Sequence, residues 1–231
     1  MRRKTDFATG SIYHIYNRGI RKSEIFTTRA DYLRWQELLY WTANYNYPYS
    51  LFEDRKTKLE ISSGETEPLI GQIDKMYKLE TPLVKILSFV SMPNHYHLLL
   101  EQSTKHGVQK YMQRLQAAYS KYFNLKYELI GSVFQGRFQD VPVISEPQFL
   151  QVQKYILRNP LVAKLVSKKM FLNYPWSAIR EYLNPNLRKI ITYERIPSFF
   201  SDPNKLSKFL LDDFSDEEQL SLDSISIDSK F

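Results

Sequence analysis

The sequence has no cysteine among its 231 residues, which excludes disulfides, thiolate zinc sites and cysteine nucleophiles. No apolar run approaches the roughly 18–20 residues of a membrane-spanning helix. The first six residues show no apolar segment of the secretory type. No GxxxxGK[ST] loop occurs, which disfavours an ATP-driven enzyme. The chain is therefore expected to be a soluble cytoplasmic protein with one large domain and no membrane contact.

Charge is distributed unevenly along the chain. The sequence has 32 Lys and Arg against 25 Asp and Glu, a net charge of +7. Residues 201–231 hold eight acids and three lysines, so the first 200 residues carry +12. The basic body, in a chain with 17 Tyr and 14 Phe, favours binding to single-stranded nucleic acid, although many basic proteins bind no polyanion. One hypothesis makes the acidic segment a competitor of nucleic acid for the basic body.

The spacing of apolar residues predicts most of the secondary structure. The expected elements are a strand over 10–19, a helix over 28–45, strands over 84–91 and 95–100, a helix over 108–127 and an extended stretch over 131–144. A capping pattern at Ser145 predicts one more helix, which Asn159-Pro160 should end near Arg158. The last thirty residues are acidic and Ser-rich, so partial disorder is expected there.

The segment His95-Tyr96-His97 holds two of the four histidines. On a strand, residues i and i+2 project from one face, and imidazole is a common metal ligand. Two such ligands leave most of a coordination sphere open, which suits a catalytic metal. The competing interpretation is a pair of satisfied core histidines. His14 and His106 are interpreted as surface, strand or DNA-contacting residues.

Residues 92–100 (MPNHYHLLL) resemble the HUH motif, His-bulky apolar-His, of single-tyrosine transposases. They are most similar to those of REP-associated tyrosine transposases and related insertion-sequence enzymes. Further segments match that family in order: 13–19 (YHIYNRG), 134–138 (FQGRF), 155–160 (YILRNP) and 174–177 (YPWS). The resemblance covers about residues 10–182 and leaves 46–82 and 185–231 unexplained.

This resemblance implies an α+β fold of the ferredoxin-like type, an antiparallel sheet with helices packed on it. The HxH strand would be central, with the Tyr155 helix over it. Residues 1–183 would form the catalytic domain, with 46–82 as an insertion that is a loop, a subdomain or a disordered excursion. Residues 184–231 would be an extension with an acidic, flexible tail.

The resemblance also implies a reaction. Tyr155 would attack a DNA phosphodiester near a hairpin, form a 5′-phosphotyrosine and later be displaced as strands rejoin. His95 and His97 would hold Mg²⁺ or Mn²⁺. Asn159, one helical turn after Tyr155, would be a third ligand or only a helix C-terminal cap.

The expected partner is single-stranded or hairpin DNA. Basic residues predicted to contact it are Arg18, Lys110, Arg114, Lys121, Arg137, Lys154 and Arg158, although a charged helix stripe is equally often a solvated face. A homodimer that exchanges helices is an alternative to assembly of the site in one chain.

Two other functions stay open. The domain would serve as a non-cleaving regulator that binds hairpin DNA or RNA, or as a metal-dependent phosphohydrolase of the histidine-triad type. The second would need a third histidine where Leu99 stands.

Overall fold

The computed structural model describes residues 6–62, 67–187 and 189–212. Its strands are β1 (Ile12–Arg18), β2 (Val84–Met92), β3 (His95–Gln102) and β4 (Gln139–Val143). Its helices are α1 (Arg29–Asn44), α2 (Tyr49–Ser62), α3 (Glu67–Tyr77), α4 (Gly107–Tyr127), α5 (Glu146–Val162), α6 (Ile179–Leu183) and α7 (Pro203–Leu211). None of the helices in these ranges is both long and apolar enough to cross a membrane.

The described strands form one antiparallel sheet in the order β2-β3-β1-β4. Helix α1 lies between β1 and β2 in the chain, and α4 lies between β3 and β4. This connectivity is the ferredoxin-like one, and it confirms the predicted α+β class. Strand β3 has a neighbour on each side, so the HxH strand is internal as expected.

The two faces of the sheet carry different helices because alternate residues of a strand point to opposite sides. Tyr96, Leu98 and Leu100 pack in the core that contains residues of α1 and α4. Leu99 packs on the other side with residues of α5, including Ile156. The α5 face is therefore also the face that receives His95 and His97.

Helices α1 and α4 are tied together by a buried carboxylate. Asp31 in the first turn of α1 is fully buried and accepts a hydrogen bond from the Thr28 backbone N–H at 2.7 Å. It also accepts from Lys126 Nζ at 2.6 Å, from Tyr127 Oη at 2.7 Å and from Tyr122 Oη at 3.0 Å. Burial raises the pKa of this carboxyl, but these bonds outweigh it and lower the pKa to about 2.

Helix α5 departs from the sequence prediction because it continues through Pro160 to Val162. Proline removes one helical hydrogen bond, but the bonds beyond it form. The Ala163 N–H donates to the Asn159 carbonyl at 2.9 Å, and the Leu165 N–H donates to the Pro160 carbonyl at 2.9 Å. The expected end near Arg158 was wrong, and Asn159 remains on the same helix as Tyr155.

The segment 46–82 contains α2 and α3 rather than a loop. Its inner side chains pack beside the end of α1: Trp41 stacks on Phe52 with ring centroids 4.5 Å apart, and Leu69 and Ile73 are buried in the same cluster. The described residues of this segment are therefore mostly two helices packed beside α1, and they are not a plain loop.

The beginning of the acidic extension is also folded. Asp202 caps α7 by accepting the Asn204 N–H at 2.9 Å, and Leu206 and Leu210 of α7 are fully buried. Residues 203–211 are thus an ordered part of the stretch for which partial disorder is expected, because these apolar side chains at helical spacing complete the core. Residues 213–231, which hold six of the acids, lie outside the described residues.

Candidate active site

The HxH pair lies at the start of β3, directly after the tight turn that joins it to β2. The register pairs His95 with Arg18 and His97 with Tyr16, so these four side chains belong to one face of the sheet. His95 is half-buried at the sheet end, and His97 is fully buried. The pair therefore has one imidazole near solvent and one inside.

The orientation of His95 is set by the turn. Asn94 Nδ2 donates to the Lys22 carbonyl at 3.3 Å, which points Asn94 Oδ1 at His95 Nδ1, 2.7 Å away. In a neutral imidazole that donates from Nδ1, the lone pair is on Nε2. His95 Nε2 lies 3.4 Å from Asn159 Oδ1. An imidazole nitrogen and an amide oxygen, both possible metal ligands, thus face each other.

Helix α5 brings Tyr155 and Asn159 to the pair within a single chain. The Tyr155 ring meets the His97 ring edge-on, with centroids 5.3 Å apart. Asn159 Nδ2 donates to the Tyr155 carbonyl at 2.9 Å, which leaves Asn159 Oδ1 on the His95 side. The structure therefore brings together four residues singled out in the sequence: His95, His97, Tyr155 and Asn159.

Sequence reasoning left His14 outside the HxH pair, as a surface, strand or DNA-contacting residue. It lies on β1 as a strand residue, but it is fully buried and not at the surface, and its Nε2 lies 2.9 Å from His97 Nδ1. Its ring also lies 5.8 Å from that of Tyr155. The signal available in the sequence was the alternation Tyr13, His14, Ile15, Tyr16, which puts His14 and Tyr16 on one face of a buried strand.

The buried environment determines the charge of this cluster. Burial, then the neighbouring His14 and His95, holds the pKa of His97 well below its usual range, so its imidazole is neutral near pH 7. Burial, then Tyr155 and Asp140, raises the pKa of Tyr16 to about 12. Tyr16 therefore stays a neutral phenol beside the histidines.

The donor set fits a divalent cation. In the described residues, no hydrogen-bond partner is found for the buried Nε2 of His97. No group of three or more His, Cys, Asp or Glu side chains is placed to hold a metal there or elsewhere in those ranges. The available ligands are therefore the two imidazoles and the Asn159 amide oxygen, an open and uncharged set that leaves positions for water and substrate.

Comparison with known proteins relates part of the chain to a known family. The family model described as "Transposase IS200 like" matches residues 55–159. The match covers 105 of the 231 residues. The match contains the HxH pair, Tyr155 and Asn159, and it confirms the resemblance at family level. Strand β1, with His14 and Arg18, lies outside it.

Other comparisons add no further argument. No curated protein matches the chain. A solved REP-associated tyrosine transposase bound to a REP hairpin superposes with a TM-score of 0.48 at 14% identity, covering 85% of this chain and 93% of that one. A Deinococcus radiodurans structure provisionally assigned as a transposase gives a TM-score of 0.32 at 13% identity, covering 68% and 95%. At these TM-scores, the fold assignment rests on the chain's own strand order.

Two predicted DNA-contacting arginines lie on or near the β1 side of this candidate site. Arg18 shares the face of His95, and its Nε donates to Gln135 Oε1 at 3.0 Å. The turn that holds Gln135 also exposes Arg137, while Asn17 Nδ2 donates to the Gly136 carbonyl at 3.2 Å. The FQGRF segment is thus attached to the end of β1.

The three predicted DNA-contacting cations of α4 do not converge on the candidate site. Helix α4 packs on the opposite face of the sheet. Arg114 Nη2 donates to Asn46 Oδ1 at 2.6 Å, and Arg114 and Lys121 line a cavity of about 520 Å³ bordered by α1, α2 and α4. Lys110 is exposed on the same helix.

The two cations of α5 are turned toward α7. Lys154 is buried with its Nζ 5.7 Å from the centre of the Phe209 ring. Arg158 Nη1 donates to the Asp212 carbonyl at 2.8 Å. The sequence could not indicate this, because the contact depends on α7 folding back onto α5. His106 is exposed at the start of α4, as interpreted from the sequence.

Proposed function

We propose that this chain is a transposase that cuts and rejoins single-stranded DNA near a hairpin, with Tyr155 as the nucleophile. The observation that carries the proposal is the edge-on packing of Tyr155 against His97, 5.3 Å between ring centroids, with Asn159 facing His95. A tyrosine beside an open set of metal ligands is what a covalent phosphoryl transfer requires.

In the first step, Tyr155 Oη forms a bond to the scissile phosphorus while the bond from phosphorus to the 3′ oxygen breaks. The phenol loses its proton, and the departing 3′ oxygen gains one. The products are a 5′-phosphotyrosine and a free 3′-OH. In the second step, a 3′-OH attacks the phosphotyrosine and releases Tyr155, so DNA is rejoined without hydrolysis or ATP.

Phenols ionise near pH 10 and are weak nucleophiles at neutral pH, so the phosphate must be made more reactive. Mg²⁺ or Mn²⁺ at this site would polarise a non-bridging phosphate oxygen. His95, His97 and Asn159 are the residues that would hold it. Asn94 orients His95 for that purpose, and α5 fixes Asn159 and Tyr155 one helical turn apart.

Exposed Arg137 would contact phosphates of a strand that reaches Tyr155. Arg18 is buried, so it would act by holding Gln135 in the same turn. Lys110, Arg114 and Lys121 lie across the sheet, so a strand held at Tyr155 would reach them only by passing around the molecule.

The test is covalent trapping. The protein is incubated with labelled single-stranded DNA from hairpin-bearing repeats of its own genome and Mn²⁺ or Mg²⁺, and an SDS-stable adduct is sought. We expect an adduct that Tyr155→Phe abolishes. Tyr16→Phe is the matched comparison, because Tyr16 also lies beside His97 but is fully buried and keeps its proton.

An adduct that survives Tyr155→Phe and disappears in Tyr16→Phe would transfer the nucleophile to Tyr16. Tight hairpin binding with no adduct under any metal condition would support the alternative function, a non-cleaving regulator.

A further inference from the structure

His14 contacts His97, yet the reaction proposed above gives it no role. It stands on β1, outside the matched family segment, and both imidazoles are fully buried. Their rings lie 5.1 Å apart and are tilted by only 19°. In such a buried pair, one ring donates the hydrogen bond and the other accepts it. Which ring donates determines which nitrogen of His97 keeps a lone pair.

The contact joins one nitrogen of each ring. His14 Nε2 lies 2.9 Å from His97 Nδ1, a hydrogen-bond distance, so these two nitrogens share one hydrogen between them. Neither of them is available to a cation. The nitrogen that His97 has left is Nε2, which lies on the site side and has no hydrogen-bond partner in the part of the chain that the structure describes.

Two arrangements of the hydrogen satisfy the contact. If His14 donates, His97 Nδ1 accepts, and the hydrogen of the neutral His97 ring sits on Nε2, which then has no lone pair to offer. If His97 Nδ1–H donates, His14 Nε2 accepts, and the lone pair is on His97 Nε2. Only the second arrangement is compatible with a cation at His97.

We propose that His14 is a positioning residue that accepts the His97 Nδ1–H and so keeps the Nε2 lone pair directed at the cation site. This inference rests on the proposed function, since it assumes that His97 is a ligand. Ligating histidines commonly donate their second N–H to a carboxylate, carbonyl or water. Here the acceptor is another imidazole, uncharged and held on the central strand β1.

The same arrangement distinguishes His14 from a third ligand. Its Nε2 accepts from His97, so the hydrogen of the neutral His14 ring is on Nδ1 and neither nitrogen has a lone pair for a cation. His95 has an equivalent device in Asn94, whose Oδ1 lies 2.7 Å from His95 Nδ1. In this arrangement, each histidine of the HxH pair has its own acceptor for its Nδ1–H.

The test compares His14→Gln with His14→Leu. The glutamine side chain can bring a carbonyl oxygen near the position of Nε2, whereas leucine has similar bulk and no acceptor. The readout is the Mn²⁺ dissociation constant, measured from the EPR signal of free Mn²⁺ without DNA. We expect His14→Leu to weaken Mn²⁺ binding about 10–100-fold and His14→Gln to stay within a few-fold of wild type.

A second measurement needs no variant. Long-range ¹H–¹⁵N spectra of the Mg²⁺-loaded wild-type protein report which nitrogen of His97 carries hydrogen, and we expect Nδ1. Hydrogen on Nε2 would overturn the inference even if His14→Leu fails to fold. Folded Leu and Gln variants that bind Mn²⁺ equally, whether as tightly as wild type or equally weakly, would also overturn it.

A failure of the proposed function can be distinguished from a failure of the role given to His14. If wild-type protein binds no Mn²⁺, the metal assignment falls and this inference falls with it. If wild type binds Mn²⁺ and forms the Tyr155 adduct, but His14→Leu binds as tightly, only the role of His14 is lost.

Discussion

At the residue scale, the candidate site depends on a few polar side chains whose second contacts are satisfied away from the reacting atoms. Asn94 holds His95, His14 holds His97, and the Asn159 amide is fixed by the Tyr155 carbonyl. In the proposed arrangement, each bond leaves one acceptor, a ring nitrogen or an amide oxygen, for the cation. Local order of this kind is needed because two imidazoles and an amide bind a divalent ion weakly unless they are preorganised.

His95 gives a direct prediction at this scale. We expect His95→Ala to lower the rate of adduct formation at least about 100-fold, because it removes a neutral ligand that would polarise the phosphate. His106→Ala is the matched control, since His106 is exposed at the start of α4. Single-turnover kinetics with Mn²⁺ measure both. Metal-stimulated cleavage unchanged in His95→Ala would show that the metal assignment is wrong.

Asp31 predicts a pH dependence of stability. Its folded pKa of about 2 lies below the ordinary 3.8, so the unfolded state binds more protons in acid. Its contribution, about 2 kcal/mol, is fully present above about pH 5 and is lost as the pH falls through about 4 towards 2. Urea unfolding of wild type and Asp31→Asn should therefore give a difference at pH 7 that shrinks by about half at pH 3.

The control for this experiment is Asp54→Asn. Asp54 is exposed on α2, so loss of its carboxylate should change the unfolding free energy by less than about 1 kcal/mol at either pH. An Asp31→Asn difference that stays constant between pH 7 and pH 3 would contradict the account.

At the element scale, the turn after β1 holds the site's edge together. The Gly19 N–H donates to the Asn94 carbonyl at 2.8 Å, directly before His95. A Cβ on Gly19 would lie 2.1 Å from the Ser23 carbonyl oxygen and 2.9 Å from Ile25 Cγ2. Only glycine allows the chain to pass this closely, and the approach joins the end of β1 to the turn that carries Asn94.

We therefore expect Gly19→Ala to lower the free energy of unfolding by about 1–3 kcal/mol, because a backbone oxygen cannot move aside cheaply. Gly71→Ala provides the comparison: Gly71 lies in α3 with open space around its missing Cβ, so alanine there should be neutral or stabilising by up to about 1 kcal/mol. Chemical denaturation compares the two, and equal effects would contradict the steric explanation.

The elements also show how far the sequence predicts this structure. Periodicity placed most strands and helices within about two residues, and the family pattern placed Tyr155 and Asn159 beside the HxH pair. The errors concern long-range contacts. Local rules gave no sign that Pro160 would stay inside α5, that Lys154 and Arg158 would face α7, or that His14 would meet His97 across the sheet.

At the scale of the whole molecule, the acidic segment starts before the described fold ends, because 201–231 includes α7. Ending the chain at residue 200 would delete α7, whose Leu206 and Leu210 are fully buried, so such a truncation tests stability rather than charge. Ending it after Asp212 removes six acids and one lysine and raises the net charge from +7 to +12 while keeping α7. This second boundary isolates the electrostatic effect of the acidic segment.

We predict that deleting 213–231 tightens single-stranded DNA binding several-fold at low salt, and that the difference disappears as added salt screens the charges. Fluorescence anisotropy over a salt series measures this. A charge-matched control replaces the six acids by Asn and Gln, and Lys230 by Gln, without shortening the chain. Unchanged affinity in both variants at low salt would sink the hypothesis that this segment competes with DNA.

The central claim is that Tyr155 becomes covalently attached to DNA, and peptide mapping of the trapped adduct tests it most directly. Trypsin releases Tyr155 in the four-residue peptide 155–158, in which it is the only tyrosine. After nuclease treatment, mass spectrometry should find the 5′-phosphate linkage on that peptide, in wild type and in Tyr16→Phe alike. A linkage on any other tyrosine, or on a serine, would contradict the account.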